Sequence, residues 1–167
     1  TSSRVGSDRS TAIIYPSFST RLMQYKMEKP VQGTISGTKY QCAMQWRNGS
    51  FIADEPVSAG GQDSGPDPYT LLLSSVISCT LVTMRMYIDR KGWDIPSIRV
   101  EANMYQVRNE GKLTSVIDRN IRFDGEVATE QKQRLLEIAS ACPVSKLLES
   151  EVKVRSFMNE EGLVLEN

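Results

Sequence analysis

GGQDSGPDPYTLLLSSVISCT, residues 60–80, is the stretch whose reading decides the fold of this chain. Its first nine residues are too rich in Gly and Pro for a helix or a central strand, and the pattern then changes abruptly. Asp67 is a good helix cap, because its carboxylate can accept the unpaired amides of a first turn. Pro68 suits the first helical position, where its missing N–H costs nothing. Gly92, directly after Arg90 and Lys91, is a natural stop with cations beside the negative end of the helix dipole. Between these signals, residues 71–84 carry no charge. Leu71, Leu72, Leu73, Val76, Ile77, Leu81, Val82 and Met84 put apolar side chains on every face, which predicts a long helix buried all round. The uncharged run is too short for a bilayer, which needs about 20 apolar residues. A helix through the middle of a soluble core, with the thiol of Cys79 on it, is the expectation.

The rest of the composition narrows the function. A length of 167 residues fits one domain, enough to bury roughly 70% of its unfolded surface. Twenty basic and twenty acidic residues cancel, so the chain offers no electrostatic footprint for nucleic acid or an anionic membrane. No signal peptide or spanning segment is visible. Three cysteines are too few, and odd in number, for a disulfide scaffold, so a reducing cytoplasm is expected. There is no histidine. Ser-His-Asp and Cys-His catalysis in their usual forms, and a His-ligated metal site, are therefore excluded. Chemistry must run on thiols, carboxylates, amines, guanidinium groups or hydroxyls.

Taken in order, residues 1–30 read as a polar, Ser-rich arm ahead of a single domain over 31–167, with 21–27 either an early strand or part of the arm. Ile13, Ile14, Tyr15 and Phe18 would give such an arm apolar groups to lay on a partner subunit. Two β-like runs, 39–46 and 50–54, flank Arg47-Asn48-Gly49, and Asn-Gly is a strong hairpin signal because both residues tolerate positive φ. Cys42, in the first run, reads as a small apolar strand residue. Residues 97–108 alternate with period two, Ile98, Val100, Ala102 and Met104 on one face. A turn at 109–112 sends the chain back through 113–124. There Ile117, Ile121 and Phe123 share a face with Arg119. A charge in that register needs a partner: either an ion pair or edge position, or an anion such as a thiolate. Residues 128–141 form an amphipathic helix halted at Cys142-Pro143, a short helix follows to 149, residues 151–157 alternate as a last strand, and 158–167 is a polar tail. Strands, long helix, strand pair, helix and strand make an α+β chain without repeating βα units.

Cys142 immediately precedes a helix start, where free amides and the positive dipole end favour a thiolate. Cys79, in mid-helix, has no such local help. Spacing alone leaves open whether the two meet, and each, taken singly, is more often a buried apolar residue than a reactive one.

Two separated motifs, each centred on a cysteine, resemble the OsmC/Ohr family. One is Ala53-Asp54-Glu55-Pro56, then Gly60 through Tyr69, Leu71-Leu72-Leu73 and Ser78-Cys79-Thr80. The other is Leu135-Leu136-Glu137-Ile138-Ala139 leading to Ala141-Cys142-Pro143-Val144-Ser145-Lys146. The likeness spans roughly residues 38–157 and is to the OsmC-like branch. It implies an OsmC-like fold: antiparallel sheets packed around a long buried central helix, in an intertwined homodimer with active sites at the subunit interface. It implies thiol-dependent reduction of organic hydroperoxides in oxidative-stress defence, without a cofactor. Cys79 would be the peroxidatic thiolate and Cys142 the resolving thiol, the resulting disulfide being reduced by a dithiol such as a lipoylated protein. An arginine from the early hairpin, where Arg47 lies, would hold the thiolate, with Arg119 as the other candidate. The glutamate that supports the family's arginine would fall near Tyr69 or Thr70, neither acidic, and Ser145 stands where this branch often carries a histidine. The alternative reading is a non-catalytic OsmC-like dimer, redox-responsive or binding a small molecule in its interface pocket.

Overall fold

The computed structural model describes residues 25–157 and the backbone of 164–166. Most of the expected arm, including its apolar residues, lies outside the described residues. The element order is β1 (Gln32–Ile35), β2 (Cys42–Trp46), β3 (Gly49–Ala53), a 3-10 turn (Val57–Ala59), α1 (Pro68–Lys91), β4 (Ser97–Asn109), β5 (Lys112–Asp124), α2 (Thr129–Ser140), α3 (Pro143–Glu149), β6 (Arg155–Phe157) and β7 (Val164–Glu166). The strands pair antiparallel in three sheets, β1-β2-β3, β4-β5 and β6-β7. This is the α+β class with antiparallel sheets that the sequence predicts.

Helix α1 starts and stops where its punctuation says. The Asp67 carboxylate accepts from the amides of Tyr69 at 2.9 Å and Thr70 at 3.1 Å, and Gly92 closes the far end in the left-handed conformation at φ 64°. Its burial departs from expectation. Within one chain only Val76, Thr80, Met84, Tyr87 and Ile88 are buried, a single stripe at helical spacing, because α2, α3 and β4 pack on one side of it. Val82 and Met86 on the opposite face are 57% and 67% exposed. At 24 residues α1 is long and apolar enough to cross a membrane, a test that the core helix of a folded domain also passes. Here Met84, Tyr87 and Ile88 of that stripe join Ile95, Val100, Val127, Leu135 and Ala139 in the core.

The Gly-rich loop before α1 is held from below by Asp54. This carboxylate is 2% exposed and accepts from the amides of Glu55 at 2.9 Å, Gln62 at 3.2 Å and Ser64 at 3.1 Å. The loop is thereby drawn onto β3 so closely that a Cβ at Gly65 would lie 2.0 Å from the Ile52 carbonyl oxygen. Glycine is the residue that fits.

Three local expectations are corrected. The β2–β3 hairpin forms, but its turn is Arg47-Asn48, and neither they nor Gly49 has positive φ. At Gly49 the Trp46 ring lies where a Cβ would be, at 2.8 Å, so a larger residue there would push the exposed Trp46 ring aside. Strand β1, absent from the sequence reading, pairs with β2 from Gln32 opposite Gln45 to Ile35 opposite Cys42; its four residues are all exposed, so no alternating pattern marked it. Residues 164–166, expected in a polar tail, pair with β6.

Candidate active site

The site begins with the β4–β5 hairpin. Glu110 and Gly111 both turn with positive φ, 48° and 83°, and the two long strands pair in register from Asn109 opposite Lys112 to Ser97 opposite Asp124. The face bearing Ile98, Val100, Ala102 and Met104 turns to the helices, as the period-two pattern predicts, with Val100 in the core. Arg119 stands in the same layer, directly opposite Ala102, whose small side chain leaves the guanidinium room.

Arg119 crosses to the helices and binds three groups. Its Nη1 donates to the Thr80 hydroxyl at 2.7 Å, to the Ala139 carbonyl at 3.1 Å and to Cys142 Sγ at 3.9 Å. The Ala139 carbonyl, at the end of α2, also accepts from the Cys142 amide at 3.3 Å, and α2 has no basic residue in its last turn. The guanidinium thus supplies the cation that a helix C-terminus favours. Among the described residues no carboxylate forms an ion pair with Arg119, so its charge faces the sulfur uncancelled.

Cys142 caps α3. Proline cannot carry α2 onward, so the chain restarts with Pro143 at the first position of a new helix. Cys142 Sγ sits 3.0 Å from the Ser145 hydroxyl and accepts from the Ser145 amide at 3.5 Å, the geometry in which an N-cap side chain meets the third residue of a helix. From α1, the Thr80 hydroxyl lies 3.7 Å from the sulfur while also donating to the Val76 carbonyl at 2.8 Å. One hydroxyl proton thus has two acceptors within reach, the Val76 carbonyl and the sulfur. Cys142 and Thr80 are fully buried and Ser145 is 7% exposed.

Burial pushes the Cys142 thiol up; the hydroxyl and amide of Ser145, the Thr80 hydroxyl and the Cys79 thiol outweigh it and bring the pKa down from 9.0 to about 7. Cys79 precedes Thr80 on α1 and is half-buried, near enough to contribute to that lowering. Cys42, Cys79 and Cys142 are all free thiols. A cleft of about 160 Å³ opens beside the cluster, walled by Val76, Ile117, Arg119, Ser145 and Leu148.

Of the residues singled out in the sequence, the structure therefore gathers Cys142, Arg119 and Cys79. It does not bring Arg47 to them: Arg47 lies in the exposed β2–β3 turn and borders surface hollows with Lys29. Cys42 pairs with Ala53 inside the first sheet. Thr80 and Ser145 carried no assigned role in the sequence reading. Ser145 was discoverable from the Cys-x-x-Ser spacing of a cap; nothing in the local pattern distinguishes Thr80 from the other hydroxyls of α1.

Fold and site together define an α+β thiol protein in which an acidic cysteine caps a helix beneath an arginine delivered by a β-hairpin. The profile of OsmC-like proteins matches residues 61–156, and the chain belongs to that family. Solved structures agree with this. A Psychrobacter arcticus protein named for osmotic stress induction and detoxification superposes with a TM-score of 0.62 at 21% identity, over 74% of this chain and 90% of its own. An organic hydroperoxide resistance protein from Elizabethkingia anophelis gives 0.57 at 21% identity, over 76% and 93%. The organic hydroperoxide resistance protein OhrB of Bacillus subtilis gives 0.54 at 18% identity, over 74% and 93%. At these identities the likeness is one of fold. No curated protein matches the chain by sequence.

Proposed function

We propose that this protein reduces organic hydroperoxides with the Cys79/Cys142 pair, closing a disulfide that a dithiol reopens, in peroxide-stress defence in the cytoplasm. The observation that carries the reading is the convergence of Arg119, Thr80 and Ser145 on Cys142 Sγ, with Cys79 beside it. With its pKa brought down to about 7, the Cys142 sulfur is partly thiolate at neutral pH, the form that reacts with peroxides and disulfides. Arg119, not Arg47, fills the role of the activating arginine within the chain. The apolar outer face of α1, with Val82 and Met86 exposed, is the surface expected to meet a second copy in a homodimer, as the family implies, and would complete the burial predicted for that helix.

Turnover of tert-butyl hydroperoxide with dihydrolipoamide as the dithiol tests the proposal. Replacement of either Cys79 or Cys142 by Ser should abolish turnover, and absence of turnover by the unaltered protein with any dithiol rejects it. A second reading, a non-catalytic dimer that responds to redox state or holds a small molecule, is favoured by the complete burial of Cys142. It predicts a thiol count unchanged by hydroperoxide.

A further inference from the structure

We infer that Thr80 is a positioning residue for the resolving thiol: its hydroxyl anchors the Arg119 guanidinium against Cys142 Sγ, readying that sulfur to close the disulfide. This rests on the proposed hydroperoxide reduction for the step in which Cys142 acts, and Cys79 remains the sulfur that meets the peroxide.

Hydroxyls inside a helix ordinarily bond back to carbonyls of the same helix. Ser75, Ser78 and Thr83 of α1 do this, to Leu72, Ser75 and Cys79, and among the described residues their hydroxyls bond nothing else. Thr80 makes the same bond, to the Val76 carbonyl at 2.8 Å, but it does more. Whichever acceptor its proton takes, its oxygen accepts from Arg119 Nη1 at 2.7 Å. The sulfur completes a triangle, 3.7 Å from the Thr80 hydroxyl and 3.9 Å from Nη1.

Nη1 has one other oxygen acceptor, the Ala139 carbonyl, which is farther at 3.1 Å and shared with the Cys142 amide at 3.3 Å. Thr80 is therefore the contact that fixes where the charge lies. Without it the half-buried guanidinium, on its long and flexible stem, is free to turn into the cleft it borders and away from the sulfur. The triangle is closed within one chain: Thr80 and Cys142 are both 0% exposed, so a second copy cannot bring a donor into contact with either. The charged or titratable groups that meet the sulfur from the elements packed on it are Arg119 from β5 and Cys79 from α1. On α3, Lys146 and Glu149 pair with each other at the surface.

The step served is disulfide closure. Once the peroxide has oxidised Cys79 by two electrons to a sulfenic acid, the Cys142 thiolate attacks the Cys79 sulfur. An S–S bond forms, the S–O bond breaks, and the departing hydroxide takes a proton from solvent to leave as water. Only the thiolate is nucleophilic, so a guanidinium held beside Cys142 sets how much of the protein is ready for this step.

The test compares Thr80→Val, which keeps the shape and removes the hydroxyl, with Thr80→Ser, which keeps the hydroxyl. The thiolate midpoint of Cys142 is read from ultraviolet absorbance with Cys42 and Cys79 replaced by Ser. Disulfide closure after tert-butyl hydroperoxide is timed in proteins that retain all three cysteines. The midpoint, about 7 in the native protein, should rise by about one unit in Thr80→Val and stay in place in Thr80→Ser. Closure at pH 7 should slow about fivefold in Thr80→Val and recover at higher pH. Arg119→Gln should raise the midpoint too, and adding Thr80→Val to it should change little further. An unmoved midpoint in Thr80→Val, equal shifts in the Val and Ser variants, or additive shifts in the double variant overturns the assignment. Should Thr80→Val fail to fold, Thr80→Ala takes its place in the same comparison. An unaltered protein that closes no disulfide with hydroperoxide rejects the hydroperoxide reading, while the titration still decides whether Thr80 places Arg119.

Discussion

Ser145→Ala isolates the contact that most favours the Cys142 thiolate. The Ser145 hydroxyl lies 3.0 Å from Sγ and is the largest of the effects opposing burial. A hydrogen bond to a charged group contributes about 2 kcal/mol, which is between one and two pKa units at about 1.4 kcal/mol each. The thiol, at about 7 in the native protein, should therefore move to roughly 8 to 9 in the variant. At pH 7 the thiolate fraction falls from about one half to about one tenth or less, so reactions of the thiolate slow by about fivefold or more and recover at higher pH. The assay is the pH dependence of ultraviolet thiolate absorbance in a protein whose other two cysteines are replaced by Ser, because absorbance does not require a reagent to reach a buried sulfur. The folded-state pKa lies below the ordinary value of 9.0, so the thiolate's contribution to stability is full above 9.0 and is lost as pH falls through about 7. Ser145→Ala should flatten that rise in stability between the two values. A titration midpoint that stays near 7 or moves lower would refute the assignment of the hydroxyl as donor to the thiolate.

Other perturbations separate the site from its support. Arg119→Gln removes the cation at the end of α2 and its bond to Ala139, so chemical unfolding should register a loss of about 1 kcal/mol, with hydroperoxide turnover falling further than stability explains; unchanged turnover in the folded variant would exclude Arg119 from the chemistry. Leu135→Ala empties a side chain with no exposure and should cost about 2 to 5 kcal/mol by urea titration, whereas a change below 1 kcal/mol would show that the site collapses to fill itself. Asp54→Asn should lower the melting temperature, since an amide cannot accept three backbone donors as a carboxylate does. Burial raises the Asp54 carboxyl, but its hydrogen bonds with Ser64, Gln62 and Glu55 prevail and hold it below its ordinary 3.8. Its stabilisation is therefore present above 3.8 and lost as pH falls through the lower folded value, and acid unfolding of Asp54→Asn should lack that component.

What could be read in the sequence was whatever acts locally. Asp67, Pro68 and Gly92 fix the ends of α1 because capping and proline geometry involve neighbours within a turn. The alternation of residues 97–108 and the halt at Cys142-Pro143 are equally local. Strand β1 was hidden because all four of its residues are exposed and its pairing is decided by β2. The expectation that α1 is buried all round came from its apolar outline, which counts faces without knowing what covers them. One chain covers a single stripe of it, and the homodimer proposed above would cover the rest.

The site divides along the same line. That Cys142 would be acidic followed from its place before a helix start, and the structure agrees, with Ser145 as the donor three residues on. Arg119 could be recognised as anomalous, a charge in an apolar register, but its target was not legible. The distance from 119 to 142 along the chain is bridged by β5 packing its inner face onto the end of α2, so that one guanidinium meets a terminal carbonyl, a buried hydroxyl and a sulfur together. A leucine at 119 would suit the strand pattern and the core as well as its neighbours do. What it could not do is give the Ala139 carbonyl a second donor and leave positive charge against Cys142. The register anomaly is therefore the sequence's trace of the site, and its resolution needed only the question of which anion or acceptor lies across the sheet.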